Sequence, residues 1–235
     1  MTVQGSVALV TGGNRGLGDS FVRALLDAGA SKVYAAARDP RKVTAAGAVP
    51  LVLDVTDADS VQAAAQQARD VTLLINNAGI DSGASVLEGD FADFRHDFET
   101  NVLGSLRVTR EFASTLAGNG GGTVLNVLSV LSWLTAPDVA SYTASKSAGW
   151  SVTNSLRLAL RNQGTRVSAL HVAYIDTDLA RGLDVPKSDP TDIARLTLKM
   201  LDEGAEEILA DEITKQVKAG LSQSLTTLYP QLIEG

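Results

Sequence analysis

Tyr142 and Lys146 stand four residues apart in Ser141-Tyr142-Thr143-Ala144-Ser145-Lys146. On a helix that spacing puts a phenol and an ammonium on one face. A phenol with an ordinary pKa of about 10 is a poor acid or base at neutral pH, but a neighbouring cation favours the phenolate and lowers that value. Each unit of lowering is worth about 1.4 kcal/mol, so a few would bring Tyr142 into the range where proton transfer works best. Taken alone, the pair reads as a solvated surface contact, since residues at this spacing often meet on exposed helices. Upstream residues reverse that reading. Thr11-Gly12-Gly13-Asn14-Arg15-Gly16-Leu17-Gly18 follows an apolar run and opens a helical one. Such a turn lets backbone approach a pyrophosphate and seats it on the first amides of the helix. Gly12, Asn14, Arg15, Gly16, Leu17 and Gly18 are its candidate cofactor-binding residues.

The glycines leave three intervening residues and then one, rather than the one-then-two of the common dinucleotide fingerprint, and a merely structural turn is the alternative. Charge at the end of the second strand bears on which cofactor fits. A free ribose 2′-hydroxyl calls for a carboxylate there and a 2′-phosphate for cations. That strand ends Ala35-Ala36-Ala37-Arg38, and Arg15 faces it from the glycine loop, so two guanidiniums converge and favour NADP(H) over NAD(H). Against this, Asp39 follows at once, and Arg15 could simply cover surface. Asp54 closes the third strand, where its carboxylate and the Val55 amide would meet the adenine edge, unless Asp54 serves only the turn. Asn76-Asn77-Ala78-Gly79 after the fourth strand is polar and then small. Asn77, Ala78 and Gly79 suit backbone running along a ribose, with stabilisation of the sheet end as the alternative role.

These groups need a scaffold, and the chain's composition bounds it. At 235 residues, 45% hydrophobic and 20% charged, the sequence suits one globular domain over 1–235. No 18-residue apolar run and no export signal is present, which implies a cytoplasmic protein without a membrane partner. There is no cysteine, and the two histidines, His96 and His171, offer no metal-ligand spacing, so thiolate and metal chemistry are not expected. A net charge of −7 argues against a nucleic-acid partner. Short apolar runs alternate with helical stretches, the rhythm of an α/β parallel sheet. Strands are predicted at 7–10, 32–37, 49–53, 71–75, 123–128 and 166–172, with a weak seventh at 206–210. Helices are predicted at 17–28, 58–68, 91–116, 142–162 and 211–228, the last from Ile213, Val217, Leu221 and Leu225. Residues 174–190 form the substrate-loop region, within which 183–190, holding Pro186 and Pro190, reads as a mobile loop.

The glycine loop, Asn76-Asn77-Ala78-Gly79, Ser129 and Tyr142-x-x-x-Lys146, in this order over about residues 5 to 180, resemble the short-chain dehydrogenase/reductase family. The resemblance implies a Rossmann-type doubly wound parallel sheet with helices on both faces, NAD(H) or NADP(H), and hydride transfer between the cofactor and an alcohol or carbonyl carbon. It puts the catalytic roles on Tyr142 as proton donor, Ser129 as the group orienting the substrate oxygen, Lys146 as the residue that tunes the tyrosine and holds the nicotinamide ribose, and Asn101 as holder of a relay water. Ser132 is a rival hydroxyl to Ser129. Ile175 and Thr177 match positions that contact the nicotinamide amide and the phosphates. The resemblance further implies a small-molecule carbonyl or alcohol substrate and a homo-oligomer, dimer or tetramer. Two departures stand out: Val172-Ala173 replaces the usual Pro-Gly, and the tail is atypical, so tetramer contacts are not carried over. Trp133, Leu134 and Tyr174 read as core or pocket wall, Trp150 as packing or a subunit contact, His96 as surface, and His171 as a hydrogen-bonded core histidine. The alternative to an enzyme is a catalytically inactive NADP(H)-sensing protein, disfavoured because both Tyr142 and Lys146 are present. An epimerase or dehydratase would need a longer substrate-binding portion.

Overall fold

Strands buried on both faces must be apolar throughout rather than alternating, and β2 (Lys32–Ala37) shows why. Val33 and Ala35 enter one core and Tyr34 and Ala36 the other, all nearly or wholly removed from solvent. The computed structural model describes residues 2–233; residues 1, 234 and 235 of the expected 1–235 unit lie outside them. Together with β1 (Val7–Thr11), β3 (Val49–Val52), β4 (Leu73–Asn76), β5 (Gly122–Val127), β6 (Thr165–His171) and β7 (Glu207–Leu209), β2 forms one parallel sheet in the order β3-β2-β1-β4-β5-β6-β7. This is the Rossmann-type doubly wound arrangement. Strand order reverses between β1 and β4, so the crevice at their carboxyl ends is where a ligand is expected.

Helix α1 (Gly16–Asp27) and α6 (Pro190–Asp202) cover one face, burying Phe21, Leu25, Ile193, Leu198 and Leu201. On the other, α2 (Ala58–Gln67), α4 (Ser105–Gly118) and α5 (Ala140–Leu160) bury Val61, Phe112, Leu116, Leu156 and Leu160. Each of these side chains contributes about 1.5–3 kcal/mol by leaving water.

Three elements differ from the sequence-based expectation. Helix α6 was not predicted, although its signals are local: Asp189 caps it by accepting the Thr191 and Asp192 amides, and Pro190 opens it. The predicted helix 91–116 is three pieces, α3 (Phe91–Phe98), a wide π turn over Glu99–Gly104, and α4. Gly104 lies so close to Val55 that a Cβ there would be 2.8 Å from Cγ2 of that residue. The predicted helix 211–228 is broken into α7 (Glu212–Gly220) and α8 (Leu225–Leu228), with Leu221, Ser222, Gln223 and Ser224 between them.

Candidate active site

The glycine turn is shaped by close backbone approach. A Cβ on Gly18 would lie 2.1 Å from the Gly12 carbonyl oxygen, and Gly12 itself has φ of 65°. Only glycine serves at both positions. Arg15 precedes α1 in extended conformation and no side chain caps the helix, so its first amides keep no internal partner. A bare helix start beside a glycine-rich turn fits a pyrophosphate. Thr11, which the sequence reading passed over as a site residue, ties this turn to the next strand. Its hydroxyl accepts the Asn77 and Ala78 amides, each at 3.0 Å, and Asn77 Nδ2 donates to the Thr11 carbonyl. The methyl of Thr177 meets Gly16 from the far side of the crevice.

At the β2 end, the acid that would oppose a 2′-phosphate is already engaged. Asp39 accepts hydrogen bonds from the Arg41 amide and guanidinium, which hold its carboxyl below the usual range. Arg38 is exposed. Arg15 is not free, since its guanidinium pairs with Asp178 at 2.7 Å and Asp178 also pairs with Arg181. The Asp54 carboxylate accepts from the Thr56 amide and hydroxyl. Burial raises its pKa, but those bonds and the fields of Arg38 and Arg107 bring it below the ordinary value. Arg107 donates to the Val55 carbonyl at 2.5 Å.

Ser129, Tyr142, Lys146 and Asn101 meet past the ends of β4 and β5. Ser129 follows β5, 5% exposed; its hydroxyl accepts the Leu131 amide at 3.1 Å and stands near enough to the Tyr142 phenol to favour its ionised form. The rival hydroxyl of Ser132 turns back to accept the Ser129 amide. Lys146 Nζ lies 5.5 Å from the centre of the Tyr142 ring and donates to the Val127 carbonyl at 2.9 Å. Asn101, in the π turn, exchanges hydrogen bonds with Ile80 through both amide atoms and donates to Ser145. A Cβ on Gly79 would lie 3.2 Å from Asn101 Oδ1 and 3.6 Å from Lys146 Nζ, so both groups converge on that glycine.

The expected lowering of the tyrosine pKa is not what this environment produces. Burial pushes the Tyr142 phenol up, and the negative fields of Asp81 and Asp97 add to it, against the nearby Ser129 hydroxyl. Burial also brings Lys146 down to about 8, opposed by Asp97. The ammonium donates to a backbone carbonyl, and it is burial above all, which the i,i+4 spacing does not show, that sets the sign.

The β6 end carries a second polar cluster. His171 is fully buried, with Nδ1 3.2 Å from the Ser129 carbonyl and Nε2 2.9 Å from Glu207, the latter contact poorly aligned and hence electrostatic. Trp133 stacks on the His171 ring at 3.8 Å and meets Trp150 edge-on, and the Lys218 ammonium sits over both indoles. Where Pro-Gly is usual, the Ala173 amide donates to Asp211, which also caps α7 through the Thr214 amide. No positive φ occurs at residues 172–174. The 174–190 segment is closed by the Ile175–Ser188 bridge rather than hanging open, and Tyr229 Oη accepts the Thr135 amide from the loop beyond Ser129. Tyr174 is 40% exposed and so is not part of the core.

A family model described as short chain dehydrogenase matches residues 6–187. The chain is 35% identical over 188 residues to galactitol 2-dehydrogenase (L-tagatose-forming) of Cereibacter sphaeroides, covering 75% of this chain and 74% of that protein. Among solved structures it is similar to a short chain dehydrogenase from Burkholderia cenocepacia in complex with NADP, at 36% identity and a TM-score of 0.94 over 99% of both chains. A short chain dehydrogenase/reductase from Burkholderia phymatum in complex with NAD is similar at 28% identity and a TM-score of 0.84, over 93% of each.

Proposed function

Since the chain belongs to the short-chain dehydrogenase family and is thus an oxidoreductase, we propose that it is an NADPH-dependent reductase of ketones or aldehydes that also runs as an alcohol dehydrogenase. One observation carries the reading: a proton donor, a second hydroxyl and an ammonium meet past β4 and β5, across the sheet crevice from an uncapped helix start. When bound, the nicotinamide cofactor supplies the hydride. Gly12, Asn14, Arg15, Gly16, Leu17 and Gly18 would hold its pyrophosphate, Asn77, Ala78 and Gly79 its ribose, Asp54 and Val55 its adenine, and Ile175 and Thr177 its amide and phosphates. Preference for NADP(H) is supported by Arg15 and Arg38 and by the pairing of Asp39 with Arg41. The similar Burkholderia cenocepacia protein in complex with NADP supports it too.

Tyr142 holds its proton tightly, so at neutral pH it is the acid for a substrate oxygen that gains charge as hydride arrives. Ser129 would orient that oxygen, and Lys146, whose nitrogen approaches Gly79, would hold the nicotinamide ribose. A homo-oligomer belongs to the same reading, since Phe91, Leu103 and Leu158 leave apolar surface exposed on adjoining helices. The test is a panel of ketones, aldehydes and alcohols followed at the nicotinamide absorbance with both cofactors, in the wild type and in Tyr142→Phe. Turnover with NADPH that falls by about 10²-fold or more in the variant, with cofactor affinity kept, is the expected result. Undiminished turnover in Tyr142→Phe overturns it, and cofactor binding without turnover of any substrate turns the reading to the sensing protein.

A further inference from the structure

Asp97 is a fully buried carboxylate that the proton-transfer scheme above does not use. It stands on α3 four residues before Asn101, one turn ahead of the π turn. Its Oδ1 accepts from the Ser82 hydroxyl at 2.7 Å and from the Ser82 amide at 3.1 Å, and its Oδ2 accepts from the Ser141 hydroxyl at 2.6 Å. Ser141 immediately precedes Tyr142. Beside these bonds the Ser141 amide donates to the Ala84 carbonyl, so the loop after β4 and the start of α5 are laced together around one carboxylate. No lysine or arginine among the described residues pairs directly with it. An unpaired buried carboxylate is costly, and three neutral donors offset only part of that cost. Its field reaches Tyr142 and Lys146, and the other titratable group in the cluster is Asp81 of the loop after β4. Lys146 is buried too, five residues beyond Ser141 on α5, and its nitrogen approaches Gly79 together with Oδ1 of Asn101, which stands one helical turn after Asp97.

We propose that Asp97 is a positioning residue for the proton-transfer set: it is the buried counter-charge of Lys146, and through Ser82 and Ser141 it fixes the loop and the helix start that carry Tyr142. The proposal rests on the oxidoreductase reading for its purpose but not for its measurement. A negative group near an ammonium raises that ammonium's proton affinity, and its removal lowers it. Without Asp97, burial acts on Lys146 unopposed.

The experiment follows the Lys146 side chain directly in the whole protein, by NMR of ¹³Cε-labelled lysine, with Lys146→Arg assigning the signal. In Asp97→Asn, which keeps the shape and most of the hydrogen bonds, the Lys146 titration midpoint is expected to fall by about one pH unit, tenfold in proton affinity. Asp97→Ser is a second charge-removing variant should the first not fold. Ser141→Ala removes a bond to the carboxylate but no charge and is expected to leave the midpoint near the wild-type value. The high-pH limb of kcat/KM for carbonyl reduction should move in Asp97→Asn with the lysine midpoint. An unmoved midpoint in the charge-removing variants, or an equal fall in Ser141→Ala, overturns the proposal. A wild-type protein that turns over nothing defeats the reductase reading instead, and leaves the lysine titration to decide on Asp97.

Discussion

At the scale of the residue, the pair that first suggests chemistry has its proton balance set by burial. Tyr142 is held protonated and Lys146 is brought down to about 8. For carbonyl reduction kcat/KM, which reports the free enzyme, should be flat through neutral pH and fall as pH rises past about 8, where Lys146 loses its charge. A pH–rate profile checks this, and Lys146→Met should abolish the inflection along with most activity. Residue types and their spacing were legible here because helix periodicity is local, whereas the sign of the Tyr142 shift was not. That sign depends on Asp81, Asp97 and loss of water, and Asp97 meets Ser141 from 44 positions away. Nothing near Tyr142 in the chain announces it. Gly79 adds a steric prediction at the same scale: in Gly79→Ala the new methyl presses on Asn101 Oδ1 at 3.2 Å and fills the space beside Lys146 Nζ, and turnover should fall by about tenfold or more, read by steady-state kinetics.

Among elements, β6, β7 and α5 are joined by Glu207, whose carboxylate lies 2.8 Å from Arg157 and 2.9 Å from His171. Burial pushes Glu207 up, but the close His171 ring and the hydrogen-bonded, charged Arg157 guanidinium outweigh it and bring the group to about 2. Because the folded value lies below the unfolded one, this stabilisation is complete above the ordinary glutamate range and is lost as pH falls from there towards about 2. Glu207→Gln should cost about 2–3 kcal/mol at pH 7 and less in acid, measured by urea unfolding at several pH values. The seven strands could be read from apolar runs, since a parallel sheet covered on both faces writes its burial into consecutive residues such as Val33 to Ala37. Interruptions within helices could not. Glu99–Gly104 carries no breaker at the point where the turn widens, and the Asn101 contacts to Ile80 and Ser145 that accompany the widening are tertiary. The opposite holds for α6, where Asp189-Pro190 and the stripe Ile193, Ala194, Thr197, Leu198 and Leu201 were present in the chain and were passed over beside two prolines.

Across the whole molecule, the crevice is bounded by segments distant in the chain, and the Arg15–Asp178 pair spans it. Both side chains are well exposed, so the pair is worth under about 1 kcal/mol. Under the NADP(H) reading Arg15 must exchange this partner for a phosphate, and Asp178→Asn should tighten NADPH binding by about two- to fivefold while leaving NADH nearly unchanged, as read by cofactor fluorescence. Arg15 and Asp178 are 163 positions apart, which is why the sequence showed the guanidinium and hid its partner. One side chain joins the two ends of this arrangement. Asp211 holds the Ala173 amide with one oxygen and the Thr214 amide with the other, so the exit of β6 and the first turn of α7 hang from a single hinge pin. Any displacement of the chain at Ala173 must therefore tug on the first turn of α7 as well, two segments 38 positions apart yoked by one carboxylate.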